Sequence, residues 1–590
     1  MTGAPLPFFL LLGFGVAFAA AALGGGPLVF DDHPGQIFRL WHGLTRGLWP
    51  WEWNPSWWGG YPELQFYPPG FVYLGALIYY GALGVLSPMT VYQVLLWIIY
   101  LLPGVTTYWL LARILPNPWL ALPGAFVTLT LSAGTRSGVE EGLRWGLIAA
   151  RLAWGLLPLL ALSLVRWQER GERLPFLAAP LLAGIVLTHP AHAPAGVALV
   201  LLAALFGEGS RRHRFRQAAW ILAVSAGLTG FWTLPLFAHL NFALPLAWGE
   251  FSAAALGRDL LRRPLLAVLV AGWLAGWVAA SRASGPGRPA LSLLALLPPL
   301  VAVTALDALV IEPLGFRWLP ADRLLDGVKL ALVLGGGAGI AWALWLALRR
   351  SAHRAQAAGL AATAGLLALG IVGGGEPTLT LWPRPNDWPK LEETARGLRL
   401  PELWAQLRAA PPGRILFVRS AVPLRFGREW WRPHTHITAL TPMFTGREII
   451  NGTFTHPSPV AGLVYTGSAD NRPITRLVEQ LDGNTLFGRP LETLTPAVFD
   501  PLAERLGIST VVALEEDRGH LPFVETNPRF SSPRQAGPFL LFALKEKTPT
   551  LELKVDLVYW NGNWESVGVV LTALALISWG GTAFMMRGRL

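Results

Sequence analysis

Residues 31–69 read DDHPGQIFRLWHGLTRGLWPWEWNPSWWGGYPELQFYPP. The stretch follows the first apolar run of the chain and is too long and too unusual in composition for a plain connection. Asp31, Asp32 and His33 stand where the chain emerges from that run. Ile37, Leu40, Trp41, Leu44 and Leu48 then recur at helical spacing, which predicts an amphipathic helix lying flat at a membrane interface. Trp49, Trp51, Trp53, Trp57 and Trp58 follow, a density suited either to an interfacial belt or to a floor for a sugar. Gly59-Gly60-Tyr61 and Tyr67-Pro68-Pro69 close the stretch with rigid turns. The rest of the chain reads as a scaffold holding this loop over a cavity at membrane level.

Composition agrees with that reading. Of 590 residues, 53% are hydrophobic and only 14% charged, and mean hydropathy is +0.44, as in a polytopic membrane protein. Cysteine is absent, which excludes disulfides and thiol-based metal or nucleophile sites. The net charge of +11 does not point to nucleic acid, because the basic residues cluster in short loops between apolar runs. That pattern sets membrane topology. The first apolar run lacks a basic leader and precedes a loop of functional character, so it is expected to stay as a transmembrane helix.

About thirteen apolar segments follow from a span of roughly twenty residues each. They lie near 6–25, 71–86, 91–112, 118–133, 148–165, 174–188, 193–207, 218–240, 264–280, 289–311, 327–348, 357–374 and 565–586. Basic clusters at 166–173, 211–216, 282–288, 349–350 and 587–589 mark one side as cytoplasmic. With both ends on that side the number of crossings must be even. One segment therefore does not span, and the short 71–86 run after Pro68-Pro69 is the candidate. The domains expected are a transmembrane part, 1–374, with 31–70 as its first outer loop, an extracytoplasmic mixed α/β domain, 375–564, and a last transmembrane helix with a cytoplasmic tail, 565–590. Within 375–564 the patterns predict one or two helices over 389–410, helices at 474–481 and 496–506, and strands at 414–420, 509–514, 539–544 and 551–558.

On this topology the polar residues without a topological role gather on the outer side. They include Asp31, Asp32, Glu140, Glu141, His189, His192, Arg317, Asp322 and Arg323. That convergence is the strongest functional signal in the chain.

Each cluster has a chemical and a plainer reading. Asp31-Asp32-His33 offers a general base or a ligand set for a divalent cation, since adjacent carboxylates raise one another's pKa; alternatively an aspartate caps the following helix. Glu140 and Glu141, with Arg136, Arg144 and Arg151, could hold a diphosphate and an acceptor hydroxyl, or form internal ion pairs along a helix. His189 and His192 flank Pro190 between two apolar half-spans, either as a functional pair or as caps of a helical hairpin. Arg317, Asp322, Arg323 and Lys329 precede an apolar helix and suit a lipid phosphate, or simply snorkel to the surface. His434, His436, Arg447, Glu448 and Asn451-Gly452-Thr453 are explained well enough by strands and turns. No phosphate-binding loop, dinucleotide fingerprint, zinc-protease motif or nucleophile elbow stands in a convincing context.

The loop, with its acidic pair after the first helix, its interfacial helix and its Tyr-Pro-Pro ending, resembles the first outer loop of the GT-C membrane glycosyltransferases. More closely, Asp32-His33, Trp49-Pro50, Gly59-Gly60-Tyr61-Pro62, Phe66-Tyr67-Pro68-Pro69, Thr188-His189, Phe231-Trp232-Thr233-Leu234-Pro235 and the run from Phe444 to Gly452 are similar to the bacterial pyruvoyl-tetrahydropterin-synthase-related membrane proteins. Nothing in the sequence suggests pterin chemistry. The resemblance implies an inverting hexosyl- or pentosyltransferase at the outer face of the plasma membrane. Its donor would be a polyprenyl-phosphate sugar, and its acceptor an envelope glycan, a glycolipid or a protein. Asp31 or Asp32 would be the base, with Glu140 or Glu141 assisting. His33, Tyr61, Glu63, Tyr67, Arg136, His189, Arg317 and Arg323 would line the substrate site. No cofactor is certain, and a divalent metal ion is compatible with the acids. The competing readings are a non-catalytic scaffold for envelope polysaccharide assembly and a lipid or polysaccharide transporter. A transporter should show paired repeats and polar helices at midplane, which this sequence lacks.

Overall fold

The computed structural model describes residues 5–587 except 133, 171–173, 245–251, 283–286, 317–318, 349–350, 373–376, 385, 425–432, 456, 469–473, 475–477 and 547–562. The chain is a mostly helical, multi-pass membrane protein with a C-terminal α/β region and a final apolar helix, Trp564–Arg587.

Seven described helices are long and apolar enough to cross a bilayer alone, and an eighth span forms if Arg211–Leu228 and Gly230–Ala238, bent by 69°, count as one. The other apolar segments are shorter helices. The first, α1 (Pro5–Leu23), packs on α4 (Pro88–Ile114), whose start is set by Ser87 Oγ accepting from Thr90 N and by Pro88 at its first position. Between them, α3 (Gly70–Gly81) has 12 residues, about 18 Å of helix, too short for the roughly 30 Å hydrocarbon core. The non-spanning segment expected near 71–86 is therefore a half-length helix. At the centre lies α6 (Ile148–Arg170), the most enclosed of the long helices. Arg151 in α6 is fully buried and donates to the carbonyls of Tyr100, Leu129 and Ser137. It joins three chain segments and takes no part in a cation cluster for diphosphate.

In the α/β region a four-stranded mixed sheet runs Arg414–Phe417, Ile508–Leu514, Phe539–Ala543, Arg534–Ala536. The first pair is parallel and the others antiparallel, with Phe539 opposite Leu514. Every residue of Ile508–Leu514 is buried, as expected for a strand covered on both faces. Helices Leu391–Gly397, Leu400–Ala409 and Pro496–Arg505 form close to their expected positions. The helix expected at 474–481 is seen as Val478–Leu481, its 475–477 part lying outside the described residues. The strand expected at 551–558 also falls outside them.

The amphipathic helix, α2 (His33–Thr45), is enclosed by protein on both faces. Its apolar face (Ile37, Phe38, Leu40) and its polar face (Gln36, Arg39, His42) are both buried. The α/β region covers what water would otherwise cover. An ideal Cβ on Gly35 would lie 2.7 Å from Thr453 Oγ1, so the two segments touch there. Trp57 stacks on Phe38 at 4.2 Å and donates Nε1–H to Ala439 O. Trp58, at φ +53°, packs against Tyr465. Neither tryptophan is exposed, so they pin loop to α/β region rather than floor a sugar site. Trp49 and Trp53 stay on the surface.

Candidate functional site

The acidic pair at the head of α2 is split by its backbone. Asp31 adopts φ +46° and bridges to Thr435. Its N–H donates to His434 O and its carbonyl accepts from His436 N. This left-handed conformation costs about 1–2 kcal/mol in a non-glycine residue, and the bridge holds it. It turns the side chain toward the α/β region, where Oδ1 accepts from His434 Nε2 at 3.1 Å and lies 3.7 Å from His436 Nε2. Burial pushes the Asp31 carboxyl up, but the hydrogen bond and the two imidazoles outweigh it and hold the pKa below its ordinary value. Among the described residues this trio is the single group of three His, Asp or Glu side chains near enough to hold one metal ion.

Asp32 takes the other direction. It occupies the N-cap position of α2, yet its side chain makes no capping hydrogen bond to the first turn. Its half-buried carboxylate acts electrostatically on the hydroxyls of Tyr67 and Tyr92. Arg323, near the start of the Ala321–Ala347 helix, acts on Tyr67 with the opposite sign, and on His189. A close approach of Gly70 to Thr188 brings the Pro68-Pro69 end of the loop beside His189. Asp32, Tyr67, His189 and Arg323 are all half-buried. Electrostatics thus links Asp32 and Arg323 to Tyr67, and Arg323 to His189, across the first loop, the 188–193 turn and the Ala321–Ala347 helix.

Several expected substrate contacts are instead sealed inside. His33 is fully buried; Nε2 donates to Leu143 O at 2.8 Å and Nδ1 accepts from the Tyr92 hydroxyl at 2.6 Å. A carbonyl only accepts, so Nε2 carries the proton and the ring is neutral. Burial pushes its pKa down to about 4. Glu63 accepts from Arg39 Nε at 2.7 Å and from Asn54 Nδ2, with neither ion exposed. Tyr61 is buried beside this pair. The Arg39 guanidinium lies against both Tyr67 and Phe454, 3.7 and 3.9 Å from the ring centroids, and the two rings meet each other at 5.1 Å. His33, Tyr61 and Glu63 thus hold the loop together rather than face a substrate.

Glu140 and Glu141 do not form a free carboxylate pair. They sit in a one-turn π-helix, Val139–Arg144, where Arg144 pairs with Glu140 and Arg136 with Glu141. Arg136 also reaches Asp322 at 3.3 Å. Asp326 accepts from Thr135 Oγ1, Arg136 N and Ser137 Oγ. This network fastens the second loop to the Ala321–Ala347 helix, and the internal ion-pair reading describes it. Arg323 lies 3.8 Å from Asp322. His189 and His192 meet Nδ1 to Nδ1 at 2.9 Å, one donating to the other. Arg317 lies outside the described residues.

A groove of about 420 Å³ opens on the flank, lined by Leu48, Trp49, Tyr73, Phe231, Val569, Thr572, Ala573 and Leu576. Its outer wall is the Trp564–Arg587 helix, docked through small residues: Gly568 abuts Gly230, and Thr572 Oγ1 donates to Gly227 O and accepts from Phe231 N. Its inner wall is tied to the first loop, because Trp232 Nε1 donates to Leu64 O and Gln65 Nε2 to Trp232 O.

The arabinofuranosyltransferase AftD from Mycobacteria superposes with a TM-score of 0.55 at 16% identity, over 93% of this chain and 40% of that one. The oligosaccharyltransferase of Archaeoglobus fulgidus superposes at 0.50 with 13% identity, over 93% of this chain and 75% of the other. The fold is that of the GT-C membrane glycosyltransferases. The chain spans about two-fifths of the length of the arabinofuranosyltransferase it resembles. No family model and no curated protein matches the sequence.

The pairing of His434 and His436 with Asp31 escaped sequence reasoning. Its one local sign was the His-Thr-His alternation, which on an extended segment puts both rings on one face. Nothing local announced that Asp31, 403 residues earlier, would meet them.

Proposed function

We propose that this protein transfers a sugar from a polyprenyl-phosphate donor to a hydroxyl of an envelope glycan, glycolipid or protein at the outer face of the plasma membrane. The observation that carries the reading is the cluster of Asp32 and Arg323 about Tyr67, a base and a phosphate-binding cation on one half-buried site. The lipid tail would lie in the groove behind Trp49 and Phe231, its phosphate against Arg323. Asp32 takes the proton of the acceptor hydroxyl as that oxygen attacks the anomeric carbon. The bond from that carbon to the phosphate oxygen breaks, and the phosphate leaves with the electron pair, stabilised by Arg323. A single displacement inverts the anomeric centre. The α/β region would present the acceptor, and Asp31, engaged by two histidines, is not the base.

The test is sugar transfer in nanodiscs with a panel of polyprenyl-phosphate donors and envelope extract as acceptor. Asp32→Asn should lower kcat by at least about 100-fold with an unchanged melting temperature. Full transfer by that variant would remove Asp32 from the mechanism. Turnover of no donor by the wild type, with the protein folded, would favour the scaffold reading.

A further inference from the structure

We infer that Asp31, His434 and His436 form a site for one divalent transition-metal ion of the zinc class, which clasps the first loop to the α/β region. The three ligand atoms lie within 4.8 Å of one another. Ligands at 2.0–2.1 Å around a tetrahedral ion are separated by about 3.3 Å. Asp31 Oδ1 is 3.1 Å from His434 Nε2 and 3.7 Å from His436 Nε2, so both carboxylate–imidazole separations already lie within about 0.4 Å of that value.

The ligands are also positioned in advance. One backbone bridge delivers all three: Asp31 N donates to His434 O, His436 N donates to Asp31 O, and Thr435 Oγ1 donates to Val29 O. The strained φ of +46° at Asp31 aims the carboxylate at the two rings, and strain of this kind persists where the surroundings over-determine it. Two imidazoles and one carboxylate are the donor set of zinc and its neighbours rather than of magnesium or calcium. The side chains remain 12 to 21% exposed, enough for an ion to enter and for a fourth ligand from water. On binding, the metal replaces the proton that His434 Nε2 shares with Asp31. The proposal does not depend on sugar transfer. It concerns how the loop carrying Asp32 is held.

The test uses the full-length protein in nanodiscs, stripped with a chelator and titrated with Zn²⁺, and with Co²⁺ for its ligand-field spectrum. One equivalent of zinc per chain, a tetrahedral cobalt spectrum and a zinc-dependent rise in melting temperature are expected. His434→Gln and His436→Asn, which keep a neutral polar side chain, should each weaken zinc binding by more than about 100-fold and abolish the thermal shift. Wild type that binds less than one-tenth of an equivalent overturns the clasp, as do variants that bind like wild type. If a variant does not fold, the zinc dependence of the wild-type melting temperature and the cobalt spectrum decide alone. Failure here leaves the transfer assay standing, because that assay reads Asp32.

Discussion

Asp31 Oδ1 and His434 Nε2 meet at 3.1 Å across 403 residues of sequence, joining the first loop to the α/β region. The contact divides the acidic pair between two tasks. Asp31 fixes the loop, and its neighbour acts electrostatically on the Tyr67 hydroxyl.

Arg323 and Arg136 should separate by assay. Arg323→Gln removes a cation from the Tyr67 cluster, and loss of one such stabilising group costs about 100-fold in kcat. The expected outcome is that drop at an unchanged melting temperature. Arg136, engaged by Glu141 and Asp322, should act the other way: Arg136→Gln lowers the melting temperature first. Steady-state kinetics beside thermal melts check both.

The Arg39–Glu63 pair is buried at both ends. Glu63→Gln leaves a buried guanidinium without its counter-charge against two aromatic rings and should destabilise by about 3–5 kcal/mol. Replacing both residues with methionine should recover most of that loss, because the desolvation cost disappears with the charges. Denaturation of the two variants in nanodiscs gives the comparison.

His33 makes stability depend on pH. Its folded pKa is about 4, below the ordinary value near 6.5, so between those values the unfolded chain binds more protons. Stability is therefore fully present above about pH 6.5 and falls as pH drops toward 4, by up to about 3 kcal/mol. Below that it levels off. His33→Gln should flatten this part of the melting curve against pH while lowering stability at pH 7.

Gly568 sets the seat of the last helix. A Cβ there would lie 2.6 Å from Gly230 O, so Gly568→Val should displace the helix from its groove. The chain has no cysteine, and a Cβ on Gly230 would lie 3.3 Å from Leu571 Cβ, near the separation of a disulfide. Gly230→Cys with Leu571→Cys should cross-link on oxidation in the parent and not in the Gly568→Val background.

Much of the architecture was written in local sequence. Apolar runs of sufficient length dictate membrane helices, since backbone polar groups in lipid must pair within their own segment. The short α3 after Pro68-Pro69 and the strand at Ile508–Leu514 follow from length and β-branched composition. The importance of the 31–69 loop was legible too, because acids and tryptophans at that density have no use in a plain connection. Local pattern could not say what covers a polar face. The face of α2 carrying Gln36, Arg39 and His42 looked as if it met water, and it meets Glu63, Tyr67 and the 452–454 segment instead. Nor could it tell Asp31 from Asp32. That choice rests on one left-handed residue held by a bridge to Thr435, a contact whose free energy exists only after the chain has closed a loop of some four hundred residues. Helices are decided by neighbours in sequence, whereas the site is decided by groups that only the folded chain brings into reach.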